Sequence, residues 1–160
     1  MTTTADAVIA RIDYCRPGLK LGKKHLLLFF AQGHHLAHFG DPLFVEPIFA
    51  IARQQSGGVG ILGACGAPTS QPKDEGSLNT IGLVIERYAS LAPADLRAII
   101  KASRPWRDAG ARVDLLISRG DLRDWFRRED ETNDPDDERP NRAERAQANA
   151  LWKSFQEGTR

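Results

Sequence analysis

The chain has 160 residues, 41% hydrophobic and 27% charged, with a net charge of +1. That is one domain's worth of ordinary globular composition, enough to bury a core without disulfide or metal staples. No stretch reaches the roughly 18 to 20 uninterrupted apolar residues that span a bilayer, and MTTTADAVIARIDYC lacks the basic-then-apolar order of a secretory leader. The expectation is a cytoplasmic protein with no membrane contact.

Charge is unevenly spread. Residues 1 to 128 hold 17 Lys/Arg against 12 Asp/Glu, and residues 129 to 160 hold 5 against 9. An acidic tail on a basic body can lie on that body or reach for a basic partner, and it argues against dedicated nucleic-acid binding. Cys15 and Cys65 sit in no CxxC pair and read as buried free thiols.

In chain order, ADAVIARIDYC (5 to 15) places Val8, Ile12 and Cys15 on one face at helical spacing, and Arg16-Pro17-Gly18 ends that helix. A central helix then runs from about Leu19 or Lys20 to Phe39. Its stretch Leu26 to Phe30 is wholly apolar and must be buried, and Gly40-Asp41-Pro42 stops it. Leu43 to Ile48 alternates and contains Pro47, which predicts a turn into a short edge strand. Glycines at 57, 58, 60, 63 and 66 disfavour helix around Val59-Gly60-Ile61-Leu62, so a strand or irregular buried segment is expected before the loop 66 to 77.

Ser77 is a plausible N-cap for a helix carrying Ile81, Val84, Ile85, Tyr88 and Leu91. Pro93 opens another, with Leu96, Ile99 and Ile100 on its face, and Ser103-Arg104-Pro105-Trp106 terminates it. Val113 to Ile117 can form a short strand against the segment 45 to 51. Ser118 then starts a last core helix with Leu122, Trp125 and Phe126 on its buried face. EDETNDPDDERP (129 to 140) has seven acids and no large apolar residue, the composition of a solvated linker. Asn141 and Glu144 mark the start of a final helix that carries Leu151, Trp152 and Phe155, candidates for contact with a partner.

The fold class is therefore mainly α: a compact helical domain (1 to 128) around a central buried helix, with a small β-hairpin or two-stranded sheet. An acidic linker (129 to 140) and a C-terminal amphipathic helix (141 to 160) follow it.

Catalytic and metal chemistry is thinly represented. His34 and His38 stand one helical turn apart, the spacing by which two imidazoles reach one metal, but no Glu follows the first of them, and a third ligand would have to come from Cys15, Cys65, His25 or an acid placed by the fold. GGVGILGACG (57 to 66) has no Lys-Ser/Thr pair after its glycines and so is not a phosphate loop. The arginines from Arg104 to Arg128 lack interleaved stacking aromatics and read as a solvated face or as partners of the acidic linker. No cofactor, metal ligand set or catalytic group is predicted. Binding is the function that remains.

The run Phe29-Phe30-Ala31-Gln32-Gly33-His34-His35-Leu36-Ala37, followed by Gly40-Asp41-Pro42-Leu43-Phe44-Val45-Glu46-Pro47-Ile48, resembles the Panacea domain, the SocA-like antitoxin-associated family. Gln32, Gly33, His35, Leu36, Gly40, Pro42, Leu43, Phe44, Glu46, Ile48 and Ala50 fall on its pattern. Tyr88-Ala89-Ser90-Leu91 with Leu96, then Pro105-Trp106, and finally Asp121 to Phe126 extend the likeness over about residues 19 to 127. It departs at Gln54-Gln55-Ser56-Gly57-Gly58-Val59, where the family has a Gly-Pro-Val turn, and at Lys24-His25-Leu26-Leu27.

The resemblance implies a non-enzymatic protein that neutralises a co-encoded toxin by direct contact. Gln32, His35 and Glu46 are its polar motif positions to test for binding. An adaptor or regulatory protein of a prophage or mobile element is the second reading, a second copy of the chain is an alternative partner, and a metal-dependent enzyme using His34 and His38 ranks below both.

Overall fold

The computed structural model describes residues 2–51, 58–129 and 142–158. Among them are seven helices and one two-stranded antiparallel sheet, a mainly α architecture. Helix α1 (Ala5–Cys15) turns its Val8, Ile9 and Ile12 face inward. Helix α2 (Leu21–Phe39) follows, and every residue from Leu26 to Gly33 is buried, so it is the axis of the core. It ends where Gly40 takes the left-handed conformation (φ 81°) and its N–H donates to the Leu36 carbonyl at 2.9 Å.

Strand β1 (Ile48–Ile51) pairs with β2 (Gly58–Ile61), with Ile48 opposite Ile61 and Ala50 opposite Val59. The expected edge strand at 43 to 48 is displaced. Phe44 makes only an isolated parallel bridge to Thr3, and the ladder starts at Ile48, after Pro47, which has no N–H to donate. The strand expected at 113 to 117 is not one either. Leu115 adopts φ 57°, which interrupts an extended chain, and Val113 is fully exposed. The segment nevertheless meets its expected partner, since Ala50 N–H donates to the Leu115 carbonyl (2.8 Å) and Ile117 N–H to the Ile48 carbonyl (2.9 Å).

Helix α3 (Glu75–Tyr88) begins three residues earlier than expected, because Asp74 and not Ser77 is its cap. The Asp74 carboxylate accepts from the Ser77 N–H at 3.0 Å and from its hydroxyl at 2.7 Å. Helix α4 (Pro93–Ala102) buries Leu96 and Ile100 and leaves Ile99 exposed. Ser103 does end it, yet Pro105 opens a further short helix, α5 (Arg104–Gly110), from its second position, where a missing N–H costs nothing. Helix α6 (Arg119–Glu129) starts at Ser118, whose hydroxyl accepts from the Asp121 N–H at 3.3 Å, and it buries Leu122 and Phe126. Both cysteines are exposed, Cys15 at the end of α1 and Cys65 in the loop after β2, against the burial expected of them.

Helix α7 (Arg142–Gly158) presents exposed Leu151, Trp152 and Phe155, and none of its described side chains joins the core. Of the linker expected at 129 to 140, Glu129 is the last residue of α6, and residues 130 to 140, with the flanking Asn141, lie outside the described residues. No helix among the described residues is long and apolar enough to cross a membrane.

Helices α2 and α6 approach so closely that a Cβ at Gly33 would stand 2.1 Å from Phe126 Cε2. Both partners are buried, so the ring cannot swing clear into solvent. Gly33→Ala is therefore expected to lose at least about 1–3 kcal/mol in urea unfolding, and adding Phe126→Leu to recover part of it. Equal stability of parent and Gly33→Ala would disprove the close approach.

Candidate functional site

Most motif residues lie on α2 and the chain that follows it, whereas Pro105 and Trp106 stand apart on α5. Gln32, buried on α2, receives N–H bonds from Leu43 (2.8 Å) and Phe44 (3.3 Å) on Oε1 and donates from Nε2 to the Phe44 carbonyl (3.0 Å). A single side-chain amide thus satisfies three backbone groups that could not otherwise be buried. Leu43, Phe44 and Leu36 pack beside it in the core, and Pro42 is half-buried in the turn between them.

Glu46 reaches back to the start of α1, where its Oε2 accepts from the Ala5 N–H at 2.9 Å. Thr4 Oγ1 accepts from Ala7 N–H at the same end. A carboxylate there both fills an orphan donor and complements the helix dipole.

His35 is buried on α2, its Nδ1 2.8 Å from Thr80 Oγ1. That hydroxyl donates to the Gly76 carbonyl (3.0 Å), so the imidazole carries its proton on Nδ1 and donates to it. Burial pushes His35 below the ordinary imidazole value of 6.5, with the Asp74 carboxylate opposing. Asp74 is itself held low: its own burial pushes upward, but the Ser77 hydroxyl and N–H bonds prevail. Neither Thr80 nor Asp74 was singled out from the sequence. An Asp three residues before a Ser is the signal that would have marked the cap.

Pro105 is buried at the start of α5 and sets Trp106 against the sheet, where its Nε1–H donates to the Gly58 carbonyl at 2.7 Å. The Lys101 ammonium lies 6.0 Å from the centre of that indole. Gln32, His35, Glu46 and Trp106 thus make their bonds inside the domain, and Gly33 is spent on the contact with Phe126.

The histidine pair separates in role. His34 is half-buried, with Nε2 2.9 Å from the Tyr88 hydroxyl and its ring edge-on to Phe126, whereas His38 is exposed beside Phe39. His25 donates to the Ala64 carbonyl at 2.6 Å. Among the described residues no three His, Cys, Asp or Glu side chains come together as a metal-binding set. Leu151, Trp152 and Phe155 occupy α7, with between 65% and 75% of each exposed.

Comparison with protein-family models, with curated proteins and with solved structures yields no match to this chain.

Two outcomes test this arrangement. Gln32→Met keeps the volume but orphans two N–H groups and a carbonyl, so unfolding free energy should fall by about 2–4 kcal/mol. For His35, the unfolded chain binds the proton more tightly than the folded one. Its contribution is complete above about pH 6.5 and declines as pH falls below that value. Asp74, depressed from 3.8, contributes fully above that pH and declines only below it. The melting temperature should therefore drop between pH 7 and pH 5, and by less in His35→Gln. An identical drop in both proteins would remove His35 as its source.

Proposed function

We propose that this chain is an antitoxin-like protein that neutralises a co-encoded toxin by direct protein–protein contact in the cytoplasm. The reading is carried by the motif run from Phe29 to Ala50 and its resemblance to the Panacea domain. Its geometry is compatible with that role. Gln32, His35 and Glu46 are joints of a scaffold, and a scaffold that spends its shared residues internally leaves its surface to be matched to a partner.

Helix α7 supports the same reading. Leu151, Trp152 and Phe155 form an apolar cluster on a helix whose other residues are largely polar, and large aromatics are the side chains that anchor helices in partner grooves. We assign this helix to partner contact. The body supplies the fold.

Co-expression with the product of the adjacent gene tests the function. The expected result is a complex that survives size-exclusion chromatography and restores growth to cells expressing that product alone; no complex and no rescue would sink the proposal. Removing residues 129 to 160 should weaken the complex by about tenfold or more while leaving the melting temperature of the body nearly unchanged. Unaltered affinity would take α7 out of the interface.

A further inference from the structure

A concavity of about 300 Å³ opens where α2 ends, with α3 and the last turns of α6 as its other walls. Arg87 comes to it from the last turn of α3, Arg127 from α6 and His38 from the last turn of α2. Basic groups near helix C-termini complement the helix dipole one helix at a time. That does not account for three of them meeting in one depression. Among the described residues no carboxylate lines it, and none pairs with Arg87 or Arg127. By contrast, the depression at Arg104 carries its own acids, Asp121 and Asp124.

Arg127 donates through Nε to the Ala37 carbonyl at 3.3 Å. This bond offsets the negative end of α2 and leaves the two terminal nitrogens of the guanidinium for another acceptor. Arginine presents such nitrogens as a planar fork suited to carboxylate or phosphate. The concavity also has an apolar side. Phe39 and Leu83 line it with 46% and 38% of their surface exposed, area that a bare inorganic ion would leave in water. Its volume is at the small end of ligand sites, enough for one ring-sized body and one charged head.

We propose that this concavity binds a small organic anion, a carboxylate or phosphate on a ring-sized apolar body. Arg87 and Arg127 hold the head, and Phe39 and Leu83 cover the body. None of the described residues lining it belongs to α7.

Titrations of the full chain followed by NMR test it, with phenylacetate and phenyl phosphate as ligands and with 2-phenylethanol and inorganic phosphate as controls lacking charge or ring. One or both ring-bearing anions should shift the Leu83 methyl and Asn79 side-chain resonances to saturation, and the tighter of the two identifies the head group. Arg87→Gln and Arg127→Gln should each raise Kd about tenfold, with Arg87→Lys in between. Both arginines are exposed, so the variants should fold, and an unchanged melting temperature checks that they do. The proposal is overturned if neither anion saturates, if either control binds as tightly as the better anion, or if both glutamine variants bind like the parent.

Discussion

The fold depends on an aromatic ring seated against bare backbone. Phe126 of α6 occupies the space a side chain at position 33 would need, and from there it touches Phe29, Phe30 and His34 of α2. Phe30 in turn stacks on Tyr88 with ring centres 4.1 Å apart, which brings α3 to the same cluster. A glycine inside a helix costs about 1 kcal/mol relative to alanine. Here it admits an aromatic cluster shared by three helices, whose buried rings outweigh that cost.

Polar groups then fix the pieces this cluster does not reach. Gln32 holds the turn after α2, Glu46 holds the start of α1 from 41 residues away, and Trp106 holds α5 to the hairpin. The Glu46 and Trp106 bonds join segments 41 and 48 residues apart, whereas the Gln32 bonds are local, 11 and 12 residues apart. The run on which the proposed family likeness rests is therefore made of residues with structural duties, and for the same reason it says little about where a proposed partner would sit.

Much of the fold could be read in advance, because α1, α2, α3, α4 and α6 announce themselves by helical spacing and by Gly40, Pro93 and Ser118 at their ends. The misreadings have specific causes. Pro105 looked like a terminator because proline both ends and begins helices, and only the buried packing of Pro105 and Ala109 decides between them. Val113 to Ile117 has strand composition, but the positive φ at Leu115 belongs to the tertiary turn and leaves no trace in the sequence. Arg87, Arg127 and His38 could not be associated at all, since three helices distant in sequence bring them together.

The irregular segment that replaces a third strand shapes how this protein can meet others. Leu115 and Ile117 occupy the outer hydrogen-bonding positions of β1, and Trp106 takes the Gly58 carbonyl at the start of β2. Sheet edges left open recruit strands from neighbouring chains, and here one edge is filled by a stretch too kinked to be extended further while the other is blocked at one end. Association by adding a strand is thereby disfavoured. Any contact with another macromolecule would then fall to helical surfaces, where side-chain chemistry, and not the generic backbone, selects the partner.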